Sequence, residues 1–264
     1  MILHWPSTHF KPEEQLLGIL FDGGIMTREQ IAGVSDFSLR KVRYCRDRAR
    51  RLSGERPTQR FIVAGGRKNG VAYALTRSGM RYVYEMLGYE NQRIQVVPEG
   101  QVVHYLGINN ILLRAVEVFG REDIEWLSTR ELAEELELRR RLQGKKDIYR
   151  GRAIRPDASI RIGTQDPVWV EYDNNTESTA KLERKFTAYW HLRQELGTNM
   201  RTVLWVTATE RRRNYLERVY QAIAKIHGWD NSMQHQFFIE GDDTQWLKTI
   251  QSEFVNKKNQ RGNN

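Results

Sequence analysis

The stretch from 155 to 173 limits the fold of this chain more than any other. Arg155-Pro156-Asp157 leads into a short apolar run, and Val168-Trp169-Val170-Glu171-Tyr172-Asp173 follows after a polar connection at 163–167. Two runs of this kind joined so closely predict a hairpin, which sets Asp157 and Glu171 on neighbouring strands. Carboxylates delivered by adjacent strands can hold a divalent metal, Mg²⁺ or Mn²⁺, against a phosphodiester. The same residues serve equally well as a turn cap after Pro156 and as solvated strand acids.

At 264 residues the chain has room for two compact domains, and 39% hydrophobic with 28% charged content is that of a soluble globular protein. No membrane span or signal peptide is expected, so the cytoplasm is the expected compartment. With Cys45 as the single cysteine, neither an internal disulfide framework nor a thiolate zinc site can form within one chain. The six histidines (His4, His9, His104, His191, His227 and His235) lack HxxxH or HxH spacing, which disfavours a histidine metal site. Gly65-Gly66 and Gly70 lack a following GKS or GKT, so ATP hydrolysis is not expected.

The formal net charge is +9, and most of it is concentrated. Between Asp36 and Lys68 stand eleven Lys and Arg against three Asp and Glu. Residues 11–21 form an apolar helix that stops at Gly23-Gly24. Thr27 with Gln30 gives a capping box for a second helix, and a third begins near Ser35 or Asp36. On the third, Leu39, Val42, Cys45, Ala49 and Leu52 make an apolar stripe. Arg40, Tyr44, Asp47 and Arg51 make the opposite face, flanked by Arg43 and Arg48. Residues 60–64 and 71–75 then predict a hairpin whose tip carries Arg67 and Lys68, and residues 76–87 a closing helix.

Helix, helix, basic helix and basic-tipped hairpin is the order of a winged helix. A domain of that kind over 11–90 would bind duplex DNA through Arg40, Lys41, Arg43, Tyr44, Arg48, Arg51, Arg67 and Lys68. The alternative for the same residues is a solvated basic surface.

A second domain is expected over 99–255, followed by a disordered basic tail at 256–264. It begins with a strongly apolar helix at 103–119, then a short strand at 124–127 and a charged helix at 129–142. After the hairpin come a helix to 196, a strand at 202–207, a helix at 210–226, a strand at 236–239 and a short helix at 244–254. That is the order of an α/β sandwich.

Arg155-Pro156-Asp157, then Val170-Glu171-Tyr172-Asp173-Asn174-Asn175-Thr176-Glu177, then Leu182, Lys185 and Tyr189 resemble the replication-relaxation family of plasmid and mobile-element proteins. The resemblance implies an α+β winged helix followed by an α/β restriction-endonuclease-like sandwich of the PD-(D/E)XK type with a mixed sheet. It also implies DNA binding in replication, DNA relaxation or conjugative transfer. Replication or transfer proteins would be partners, and a homodimer is open.

In the nuclease pattern a lysine follows the second acid by two residues, where it positions water and offsets charge on the phosphate. This chain has Asp173 there. Lys181 or Lys185, on the next helix, is the candidate to fill the role, the alternative being a surface pair of Glu177 with Lys181. An active site would use Asp157, Glu171 and one of these lysines, with Asp157, Glu171 and Asp173 as metal ligands. Two functions follow: a non-catalytic DNA-binding protein, or a metal-dependent DNA endonuclease or nickase.

Overall fold

The computed structural model describes residues 1–50, 52, 57–63, 70–89, 94, 96–142, 144, 154–163, 166–196, 202–229 and 233–262. The chain divides into two compact units, Met1–Val116 and Glu117–Asn264. Its architecture is α+β, and the second unit contains a mixed five-stranded sheet.

The first unit opens with a 3-10 turn, Ile2–Ser7, whose Ile2, Leu3 and Trp5 are buried. Trp5 donates its indole N–H to Asp22 at 2.8 Å. Gly18 is glycine because any Cβ there would meet the Trp5 ring at 2.3 Å. This segment therefore belongs to the first core, which reaches ahead of the start expected at residue 11.

Helices α1 (Pro12–Gly23), α2 (Arg28–Ser35) and α3 (Leu39–Ala49) follow, with the two-residue strand β1 (Met26–Thr27) between the first two. Strands β2 (Thr58–Val63) and β3 (Gly70–Leu75) form the expected hairpin, and β1 adds to β3, giving an antiparallel sheet of order β1-β3-β2. Helix α4 spans Arg77–Met86 behind an N-cap at Thr76. The hairpin tip with Arg67 and Lys68, and Arg51 after α3, lie outside the described residues.

The capping box of α2 forms as its spacing predicts: Gln30 N–H donates to Thr27 Oγ1, and Gln30 Oε1 accepts from Thr27 N–H. Glutamine does here what glutamate cannot. Its amide nitrogen also donates to the Leu106 carbonyl at 2.9 Å and to Asn110 Oδ1 at 2.7 Å. Both acceptors lie on helix α5 (Val102–Phe119). Asn109 of α5 in turn donates to the carbonyls of Gly23 and Ile25, and Val102, Tyr105 and Leu106 pack on Ile25, Ala72 and Ala74.

The helix expected to open the second domain is thus packed into the first unit, which moves the division from near residue 99 to 116. By length and composition alone, residues 99–119 are also long and apolar enough to cross a membrane. Ile108, Ile111, Leu112 and Ala115 on that helix are buried in the protein.

In the second unit β4 (Ile124–Ser128), β5 (Ala158–Ile162), β6 (Val168–Asp173), β7 (Thr202–Thr207) and β8 (Gln234–Ile239) lie in that order across the sheet. Pairing is antiparallel from β4 to β6 and parallel from β6 to β8. Parallel neighbours need crossovers, supplied by α7 (Thr179–Leu196) and α8 (Glu210–His227). Both crossovers advance the same way across the sheet, which puts their helices on one face. There α7 and α8, joined by Leu132 and Leu136 of α6 (Thr129–Leu142), bury Trp169, Val203 and Trp205. Helix α9 runs from Asp243 to Gly262, so residues 256–262 of the segment expected as a disordered tail continue a helix, and the last two lie outside the described residues. Its Phe254 approaches Gly163, where a Cβ would meet the ring at 2.3 Å.

His235 on β8 accepts a hydrogen bond from Trp205 Nε1 through Nδ1 at 2.9 Å, and burial pushes its pKa down to about 3. The unfolded chain takes up this proton near pH 6.5 while the folded chain does not, so stability falls as pH drops from about 6.5 toward 3. His235→Asn should therefore lose about 2 kcal/mol less stability than wild type between pH 7 and pH 4.5. Urea unfolding at the two pH values measures this, and equal losses would rule the assignment out.

Candidate functional site

Helix α3 is capped by Ser38, whose hydroxyl accepts from Lys41 N–H at 3.1 Å. It buries Val42, Cys45 and Ala49 and turns Arg40, Lys41, Arg43, Tyr44 and Arg48 to solvent. Leu39, expected on the packed stripe, is 45% exposed, because the helix starts at that residue and its first turn stands clear of the core.

The cations on this helix differ in how they are held. Arg46 bonds the Tyr73 hydroxyl at 2.6 Å and pairs with Asp47 at 2.8 Å. Arg48 pairs with Glu13 of α1 at 3.1 Å and donates to the Tyr44 hydroxyl at 2.8 Å. The Lys41 ammonium sits over the Phe37 ring. Arg40 and Arg43 project from the exposed face of the first two turns, and Tyr44 beside them is 56% exposed. A surface of this kind can grip phosphates or base edges.

The acidic cluster forms around β6. One step beyond the Ala158–Val170 pair, the antiparallel register of β5 and β6 sets Asp157 opposite Glu171. The main chain ties them further: Asp157 N–H donates to the Val170 carbonyl at 3.1 Å, and Asp157 Oδ2 accepts from Tyr172 N–H at 2.9 Å. Alternation along β6 then puts Trp169, Glu171 and Asp173 on the face that α7 and α8 cover.

Glu171 is 0% exposed, and both of its oxygens are met from α7. Lys185 Nζ stands 2.6 Å from Oε2, and the Tyr189 hydroxyl donates to Oε1. Burial pushes the Glu171 carboxyl well above the usual range, with Lys185 acting against that shift and Asp157 adding to it. Burial works against the Lys185 charge too, but the carboxylates of Glu171, Asp157 and Glu177 outweigh it and hold its pKa above normal. Of the two candidate lysines, Lys185 therefore reaches the acids. Lys181, whose side chain is 58% exposed, pairs instead with Glu177 at 2.8 Å. Glu177 also stands 3.6 Å from Lys185, and its Oε2 is buried with no hydrogen-bond partner among the described residues.

Asp173, on the same face, is engaged from α8 instead of α7. Arg212 of α8 takes both its oxygens, Nε to Oδ1 at 2.9 Å and Nη2 to Oδ2 at 2.8 Å, and also donates to the Glu177 carbonyl at 2.8 Å. Oδ1 further accepts from Asn175 N–H, which holds the turn into α7. The three acids expected to act together thus separate into a pair, Asp157 with Glu171, and a clamp, Asp173 with Arg212. Among the described residues no group of three or more His, Cys, Asp or Glu is arranged to hold a metal ion.

Arg212 has no expected role in the sequence, and Tyr189 enters there only among the residues of the family resemblance. The i,i+4 spacing of Lys185 and Tyr189 was a usable signal, whereas nothing local marks Arg212. Because Arg212 and Asp173 are both buried, Arg212→Met should cost about 3–5 kcal/mol by stranding a carboxylate. Arg212→Met combined with Asp173→Leu should recover most of that loss. Urea unfolding compares the variants, and wild-type stability in the single variant would rule the clamp out as a stabilising element.

No curated protein and no solved structure matches the chain. The family model for replication-relaxation matches residues 17–204, from within α1 to within β7. It takes in the basic helix, the acidic pair and Lys185 alike, and the chain therefore belongs to the replication-relaxation family.

Proposed function

We propose that the protein binds duplex DNA in the replication or relaxation of a plasmid or mobile element, with conjugative transfer as a related setting. Three helices, a three-stranded antiparallel sheet and a basic third helix support a winged-helix reading of the first unit. One observation carries the proposal: α3 buries one stripe and turns Arg40, Lys41, Arg43 and Tyr44 outward, away from the core. In this reading α3 enters the major groove, and the arginines contact guanine edges or phosphates.

Changing Arg40, Arg43 and Tyr44 together to alanine should weaken duplex binding at least tenfold. It should also lower the slope of log affinity against log salt by about 2, since two phosphate-range cations are lost. Fluorescence anisotropy across a salt series measures both, and unchanged affinity would refute the assignment.

A second reading is favoured by the placement of Lys185. With Asp157 opposite Glu171 and the Lys185 amine on Glu171, the second unit supports a restriction-endonuclease-like site in which the lysine comes from α7. The paired hard oxygen donors of Asp157 and Glu171 fit Mg²⁺ or Mn²⁺; Asp173 does not, because Arg212 takes both its oxygens. The metal would supply Lewis-acid neutralisation of the phosphodiester. Lys185 would offset charge developing on the phosphate and hold the attacking water.

On this reading, supercoiled plasmid with Mn²⁺ is nicked by wild type and spared by Asp157→Ala and Lys185→Met. Because burial raises the Glu171 pKa and the ionised form is needed, nicking should rise with pH over a range above that of an ordinary carboxylate. Gel assays across pH test both points. Equal nicking by wild type and variants would remove this site from consideration.

A further inference from the structure

We propose that Tyr189 is a positioning residue for Glu171, setting the plane of its carboxylate toward Asp157. The proposal rests on the metal-dependent reading of Asp157 and Glu171 given above. Tyr189 is fully buried, at a position where phenylalanine would pack equally well. Its hydroxyl instead donates to Glu171 Oε1, while Lys185, one turn earlier on α7, holds Oε2 at 2.6 Å.

The two donors differ in what they can fix. A lysine ammonium on a four-carbon stem follows the oxygen it pairs with, so Lys185 alone leaves the carboxylate free to turn. The phenol is rigid, and its ring is lodged against Trp169 at 5.2 Å and Trp205 at 6.3 Å between centroids. It therefore presents its O–H from one fixed point, which sets the carboxylate about its own axis. Each carboxylate oxygen accepts from more than one direction, so a single donor on each leaves capacity for a ligand on the Asp157 side.

Groups that orient a ligating side chain in this way commonly change metal affinity ten- to a hundredfold when removed. Tyr189→Phe keeps the ring and deletes only the donor. Titration calorimetry with Mn²⁺ alone, on the full chain without DNA, gives a readout separate from cleavage. The expected result is a Kd at least tenfold weaker for Tyr189→Phe, no detectable binding for Asp157→Ala, and a change within twofold for Phe186→Leu. Phe186→Leu loosens the same helix without touching Glu171.

If wild type binds and Asp157→Ala does not, yet Tyr189→Phe stays within twofold, the positioning role is wrong while the site stands. Equal weakening by Phe186→Leu would also overturn it, as general loosening of α7. Wild type that binds no Mn²⁺ would overturn the site and the positioning role together.

Discussion

Glu171 is a carboxylate on a fully buried strand, and the second unit is arranged around what that costs. Removing such a group from water is unfavourable by several kcal/mol unless charge and hydrogen bonds return close by. Here both returns come from one helix. Lys185 and Tyr189 are four residues apart, so they fall one above the other on the face of α7 that covers β6. That helix must lie over the sheet in one register, or the acid is left without partners. The Asp173–Arg212 clamp fixes the turn from β6 into α7 and joins it to α8. Packing and electrostatics thus specify the same arrangement, in which Asp157 faces a carboxylate held from behind.

The first unit uses neutral polar groups for a similar purpose. Gln30 donates to the Leu106 carbonyl of α5, and Asn109 of α5 donates to the carbonyls of Gly23 and Ile25 at the end of α1. Those bonds give α5 a fixed seat, while apolar residues of the same helix fill the core. Helix α3 packs on α1 and α2 through three small or medium side chains, Val42, Cys45 and Ala49. Its remaining surface is left to charge, and the two units are thereby specialised: one carries exposed cations, the other encloses acids.

Much of this was legible along the chain. The hairpin at 155–173, the capping box of α2, the basic face of α3 and the alternation of strands and helices after residue 124 follow from local patterns of short period. Helix α5 illustrates the limit. Its apolar face predicts burial correctly, but periodicity says nothing about the partner, and the partner was decided by the amides of Gln30 and Asn109. The opening turn at Trp5 and the continuation of α9 past Phe254 were missed for related reasons. One depends on Gly18, thirteen residues further along the chain, lying beneath the Trp5 indole, a contact no local pattern encodes, and the other on helix propagation through polar residues that composition alone reads as tail.

The candidate site divides along the same line. The sequence by itself placed Asp157 and Glu171 on strands joined by a short connection, while the register that sets them opposite each other on one face is a property of the folded sheet. The sequence also determined that the lysine of the nuclease pattern was missing at 173. It left Lys181 and Lys185 equivalent, since both lie on the charged side of one helix. Only the tertiary structure separated them: the rotation of α7 over the sheet turns Lys185 inward onto Glu171 and leaves Lys181 in solvent. The fate of Asp173 was likewise decided by α8, whose Arg212 arrives from 39 residues away. Local spacing encodes which side chains share a strand or a helix face; which of them meet across elements depends on how those elements pack.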